Sequence, residues 1–135
     1  MGAPLFRSAN ALLSIVDDDP FVCAATRSLA KAIGLDARVF MSAACFLDSD
    51  APPLTRCLIC DAGMPGLDGI ELLARLESRG LYIPTLFIAA SGSAPVALPA
   101  RAARPLCLLE KPVDAWALEQ WIRRALKYAR SGASR

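Results

Sequence analysis

Apolar positions along this chain alternate between two periods. Leu12 to Val16 is a short apolar run, broken only by Ser14, that stops at three consecutive acids. It is too short for a buried helix and predicts a strand. Val22, Ala25, Leu29, Ala32 and Ile33 then recur at helical spacing, with Gly34 placed to cap the end. Asp36 to Phe40 predicts a second strand. Ser42 is suited to cap a short helix carrying Ala43 to Leu47, and Asp50 to Pro53 is loop. Arg56 to Cys60 is the most continuously apolar segment and predicts a third strand. Ala62 to Gly66 is an irregular loop. Asp68 followed three residues later by Glu71 is a capping-box pattern for a helix through Arg79, closed by Gly80.

Pro84 to Ala90 predicts a fourth strand and Leu106 to Leu109 a fifth. Between them, Ser91 to Pro105 is rich in Ala, Arg, Ser and Pro and admits only a short helix, starting at Pro99. Asp114 is placed to cap a last helix whose inner face is Leu118, Ile122, Ala125, Leu126 and Ala129. On that helix Trp121 is expected to pack, while Trp116 and Tyr128 admit two readings of equal weight, exposure as a partner face or partial burial.

Strands that alternate with helices build βα units and a parallel sheet. Strands apolar on both faces need helices on both sides. The expected fold is therefore an α/β, doubly wound, five-stranded parallel sheet. It spans residues 12–130, with an N-terminal extension at 1–11 and a flexible tail at 131–135.

Composition narrows the function. A chain of 135 residues makes one domain, and 55% hydrophobic residues with a mean hydropathy of +0.40 exclude a disordered chain. No apolar run approaches the roughly 18 residues of a membrane span, and the start does not read as a secretory signal. The expectation is a cytoplasmic protein that does not engage the membrane. A net charge of +2 gives no footprint for nucleic acid. Histidine is absent, which removes Ser-His-Asp and Cys-His nucleophiles, His-ligated zinc and a phosphohistidine on this chain. The five cysteines read as buried, reduced thiols. Cys57 and Cys60 spell a CxxC, but on a strand residues three apart face opposite ways and cannot pair.

In an open parallel sheet, ligands bind beyond the carboxyl ends of the strands. Asp17, Asp18 and Asp19 follow the first strand, Asp61 the third and Lys111 the fifth. If strands one, three and five are neighbours, these residues meet on one rim. Carboxylates crowded together repel unless a hard divalent cation such as Mg²⁺ sits among them. Singly, each acid reads as a cap or a solvated loop residue, and Asp19 before Pro20 fits an N-cap.

With these residues in view, the chain resembles the receiver domain of two-component response regulators. The matching strings are Ile15-Val16-Asp17-Asp18-Asp19-Pro20, Asp61-Ala62-Gly63-Met64-Pro65-Gly66-Leu67-Asp68-Gly69 and Glu110-Lys111-Pro112. Phe40-Met41-Ser42-Ala43 and Phe46-Leu47 resemble the branch that often precedes a LuxR-type helix-turn-helix. The resemblance implies a flavodoxin-like sheet of order 2-1-3-4-5. It implies Asp61 as phosphoacceptor, taking a phosphoryl group from a sensor histidine kinase or phosphotransfer protein. It implies Mg²⁺ held by Asp17, Asp18, Asp61 and the backbone carbonyl of Gly63, Lys111 on the phosphoryl oxygens, and a cis bond before Pro112. Such a domain is not an enzyme beyond its own phosphoryl transfer and dephosphorylation. It can form a homodimer, and it reaches DNA only through a separate output domain.

Three departures from the family fall on its output side. The Thr or Ser expected at the end of the fourth strand is Ala89, with Ser91 and Ser93 the nearest hydroxyls. The aromatic expected three residues before Lys111 is Leu108. Pro95, Pro99 and Pro105 crowd the fourth helix, which is expected to be short or irregular. The expected function is Mg²⁺-dependent phosphorylation on Asp61 with an altered switch. The alternative is a phosphorylation-independent pseudo-receiver acting in interaction or dimerisation. An Asp-based magnesium phosphohydrolase lacks its general acid, because Gly63 stands where a second acid is needed.

Overall fold

The computed structural model describes residues 11–63, 67, 69–90 and 105–130. Its strands are β1 (Leu12–Val16), β2 (Asp36–Phe40), β3 (Thr55–Asp61), β4 (Thr85–Ala89) and β5 (Pro105–Glu110). Its helices are α1 (Pro20–Ala32), α2 (Ala43–Asp48), α3 (Gly69–Ser78) and α4 (Ala115–Arg130), with a 3-10 turn at Pro52–Leu54. The sheet is entirely parallel, in the order β2-β1-β3-β4-β5, as expected.

The helix ends follow the chemistry of the sequence. Asp19 caps α1 and accepts from the Phe21 N–H at 2.9 Å, with Pro20 in the first turn. Ser42 accepts from the Cys45 N–H at 3.1 Å to cap α2, and Asp114 from the Ala117 N–H at 2.8 Å to cap α4. Gly34 and Gly80 leave their helices at φ of 87° and 79°, a region that side chains disfavour. The expected cap at Asp68, the helix at 91–104 and the hydroxyls of Ser91 and Ser93 lie outside the described residues.

Alternation along the strands builds two cores. Leu12, Val16, Leu58, Cys60, Phe87 and Ala89 face α2 and α3. Leu13, Ile15, Cys57, Ile59, Leu86 and Ile88 face α1 and α4. Cys57 and Cys60 thus sit in different cores, as the strand reading requires. Three buried polar residues on the described strands, Ser14, Thr55 and Thr85, interrupt the apolar layers, and Thr85 donates to the Ile83 carbonyl at 2.8 Å. Thr55 donates its hydroxyl to the Ala51 carbonyl at 2.8 Å, so the 2.8 Å bond between Ser14 and Thr55 is donated by Ser14.

Several expectations need correction. Ala25 and Ala32 are exposed, and the buried positions of α1 are Cys23, Thr26 and Ala30. Alanine is small enough to be indifferent to its face, so it phased the helix wrongly. On α4, Trp121 packs as expected, and the two readings divide: Trp116 is exposed and Tyr128 is half-buried. All five cysteines are free, yet Cys45 is exposed. Burial pushes the Cys57 thiol well up and the Cys107 thiol to about 11, so neither is a ready thiolate at neutral pH. The order 2-1-3-4-5 implied by the resemblance places β4 between β3 and β5, and the sheet has it there, so Asp61 and Lys111 meet across β4 rather than on adjacent strands. Among the described residues, no helix is long and apolar enough to cross a membrane.

Candidate functional site

The site forms at the carboxyl ends of β1, β3 and β5. Asp17 directly follows β1, and its N–H continues the ladder to the Phe40 carbonyl at 3.1 Å. Its side chain is only 1% exposed. One carboxylate oxygen, Oδ1, accepts from the Asp19 N–H at 2.9 Å. The other, Oδ2, is buried and has no hydrogen-bond partner. Burial is the largest influence on this acid and drives its pKa above the ordinary 3.8. The charges of Asp61 and Asp18 push the same way, against the Asp19 hydrogen bond and Lys111.

Asp61 is the last residue of β3. Its Oδ1 accepts from the Gly63 N–H at 2.9 Å, and its Oδ2 lies 3.7 Å from Lys111 Nζ. Gly69, at the start of α3, explains part of how Asp61 is seated. A Cβ at Gly69 would come within 2.6 Å of the Phe87 ring and 3.2 Å of the Asp61 carbonyl, so only glycine lets α3 approach this closely. Asp18 is exposed at the mouth. Asp17, Asp18 and Asp61 each offer an oxygen within 4.8 Å of the other two.

Lys111 reaches this cluster from beyond β4. Two strand spacings, roughly 9–10 Å, separate β5 from β3, a gap that suits a long side chain. The ammonium stands 3.7 Å from Asp61, 3.8 Å from Asp17 and 4.0 Å from Asp19, all to Oδ2. Its backbone N–H donates to the Ala89 carbonyl at 2.8 Å, and the Lys111–Pro112 bond is cis, as expected. The neighbouring Ala62 N–H donates to the Ile88 carbonyl at 2.8 Å. Ala89 itself is buried and brings no polar side chain.

This donor set suits a hard cation. All three side chains offer oxygen, and the buried Asp17 Oδ2 has no hydrogen bond and only a 3.8 Å ion pair to Lys111, so a cation at closer range lowers the cost of burying it. One ammonium among four carboxylates leaves the cluster negative, which a divalent ion corrects. Beside the acids lies a largely apolar cavity of about 480 Å³ between α1 and the segment after β5. Asp19 and Lys111 form its polar end, and Val22, Leu29, Val113 and Leu118 its apolar walls.

The sequence reading placed Asp17, Asp18, Asp61 and Lys111 on one rim, and the structure brings them together. It missed the contact of Asp19 with Lys111, because the capping role already accounted for that residue. It also missed Gly69, whose signal was its place at the end of the matching loop string.

The family model for the response regulator receiver domain matches residues 13–123. The chain is 35% identical over 129 residues to response regulator protein TmoT of Ectopseudomonas mendocina, covering 96% of this chain and 59% of that protein. It is 37% identical over 127 residues to response regulator protein TodT of Pseudomonas putida, covering 92% and 56%. Among solved structures, response regulator StyR superposes with a TM-score of 0.83 at 32% identity, covering 91% of this chain and 62% of that one. The chain thus spans little more than half the length of these curated relatives. The sheet order, the acid-and-lysine rim and a family match over most of the length converge on one statement: the chain belongs to the response regulator receiver domain family.

Proposed function

We propose that this receiver domain accepts a phosphoryl group on Asp61 in a Mg²⁺-dependent transfer from a phosphohistidine on a sensor kinase or phosphotransfer protein, and that its output switch departs from the family pattern at Ala89. The observation that carries the reading is the convergence of Asp17, Asp18, Asp61 and Lys111 within one small volume.

In this reading a carboxylate oxygen of Asp61 attacks phosphorus while the bond to the donor nitrogen breaks, its electron pair returning to the imidazole. Asp17, Asp18 and Asp61 hold Mg²⁺, which when bound offsets negative charge on the phosphoryl oxygens. Lys111 is already 3.7 Å from Asp61 and needs little movement to meet an added phosphoryl oxygen. The Gly63 N–H fixes one oxygen of Asp61, which leaves the other to react. The donor protein has a landing surface beside the acids. Phe21 is 84% exposed and Trp116 69% exposed near the apolar cavity whose polar end includes Lys111.

The test is incubation with acetyl phosphate and Mg²⁺, followed by intact-mass analysis. One phosphoryl group per chain is expected, lost with EDTA and lost in Asp61→Asn. No incorporation into the parent protein, or equal incorporation into Asp61→Asn, overturns the reading.

Ala89 and Leu108 favour a second reading, a module whose partner binding ignores phosphorylation. Ala89 brings no hydroxyl to the site, and Leu108, 42% exposed, brings no aromatic ring to β5. Partner affinity that is the same for the parent protein and Asp61→Asn would select it.

A further inference from the structure

Asp19 does two things with two oxygens. Oδ1 accepts the Phe21 N–H at 2.9 Å and caps α1, which fixes the carboxylate plane. Oδ2 is thereby turned toward Lys111 Nζ, 4.0 Å away. The residue is anchored from its backbone as well, since its N–H donates to Asp17 Oδ1 at 2.9 Å. Capping alone requires only the first of these contacts.

The ammonium it faces is held without commitment. Its distances to Asp61, Asp17 and Asp19 differ by only a few tenths of an ångström, so no single carboxylate owns it. Two of those partners, Asp17 and Asp61, belong to the acid group suited to a divalent cation, and Asp19 does not. A cation entering that group repels the ammonium. The lysine then has one carboxylate left, and that one is locked in place by the helix cap.

We infer that Asp19 is a positioning residue that receives the Lys111 ammonium when a divalent cation takes Asp17 and Asp61. This rests on the Mg²⁺ site proposed above. It gives the third acid of the Asp17-Asp18-Asp19 run a task of its own: it lowers the cost of metal entry by keeping the displaced lysine paired. Without that carboxylate the ammonium keeps, among the described residues, only Asp17 and Asp61 as ion-pair partners and competes with the metal for them.

The experiment is a double-mutant cycle on Mg²⁺ affinity, measured by calorimetry on the unphosphorylated protein. Asp19→Asn retains capping ability and removes the charge. It is expected to weaken Mg²⁺ binding by about tenfold, the scale of coupling between contacting groups. In a Lys111→Met background the same change is expected to cost about twofold or less, because no ammonium needs a place. Asp19→Ser, another good cap, should match Asp19→Asn, whereas Asp19→Glu, which keeps the charge, should retain most of the affinity. Equal fold-changes in the two Lys111 backgrounds, or an Asp19→Asn protein that binds like the parent, overturn the inference while the metal site stands. A parent protein that binds no Mg²⁺ overturns the metal site and this inference together.

Discussion

The ends of β1, β3 and β5 each deliver a charged side chain to the rim, while the end of β4, lying between two of them, delivers a methyl group. The backbones do not share this contrast. The Ile88 and Ala89 carbonyls of β4 hold the Ala62 and Lys111 N–H groups at 2.8 Å each. Chemistry and readout are thus separable in this fold. The frame that seats Asp61 and Lys111 survives the loss of a hydroxyl from the strand between them. If Asp61 is phosphorylated as proposed, residue 89 has no hydroxyl to meet the added phosphoryl group. A hydrogen bond to a charged group contributes about 1.5–3 kcal/mol, comparable to the ~1–3 kcal/mol of a whole allosteric coupling. One residue can therefore decide whether the rim communicates with the rest of the molecule.

The largest expected effect tests that contrast directly. Ala89→Thr should supply the missing donor and raise the response to phosphorylation by up to about 3 kcal/mol. The readout is the difference in hydrogen exchange along β4 and β5 between phosphorylated and unphosphorylated protein. An unchanged difference would show that the end of β4 is not where the two regions part.

Next comes Gly69→Ala, which drives a Cβ into the Phe87 ring and the Asp61 carbonyl. A loss of about 1–3 kcal/mol in urea unfolding is expected, together with slower phosphorylation. A variant as stable as the parent would mean that α3 yields easily and does not help seat the phosphoacceptor.

A smaller effect is expected from Asp17→Asn, and its size depends on pH. Asp17 has a raised pKa in the folded state, chiefly through burial, so the folded protein keeps this proton longer than the unfolded chain. Stability contributed by this group is therefore lost as pH rises from 3.8 through the raised value, and the penalty is constant above it. Asp17→Asn should match the parent in thermal unfolding well below that window and exceed it at neutral pH. Saturating Mg²⁺ should reverse the order by stabilising only the parent, by about 2.7 kcal/mol at a hundredfold excess over Kd. A stability difference that ignores pH would remove burial as the cause. The smallest effect belongs to Leu108→Tyr, at a half-open position on β5, with a change of under about 0.5 kcal/mol. A larger cost would show Leu108 to be packed in solution.

Much of this architecture was legible in the chain because it is written locally. Continuous apolar runs marked both faces of β1, β3 and β4 as buried, and the turn from apolar run to acid marked where β1 and β3 stop. Asp17, Asp18, Asp61 and Lys111 could be placed on one rim because parallel strands all end on the same side. What was not legible depends on distance in space. That β4 separates Asp61 from Lys111 is invisible to the run-and-acid pattern, and came only from the strand order that the family resemblance implies. The reach of Lys111 to Asp19 depends on a rotamer and a helix cap at once. Ala25 and Ala32 misled because a methyl group is nearly indifferent to its surroundings. Gly69 carried a signal only through what its missing side chain leaves room for, the ring of Phe87 eighteen positions later.

The paired carbonyls at the tip of β4 have a mechanical consequence. Ile88 holds the loop that follows Asp61 and Ala89 holds Lys111, so the last peptide units of that strand act as a tie-rod between the two loops. The tie is made by main-chain groups alone, so it stands whatever side chain residue 89 carries.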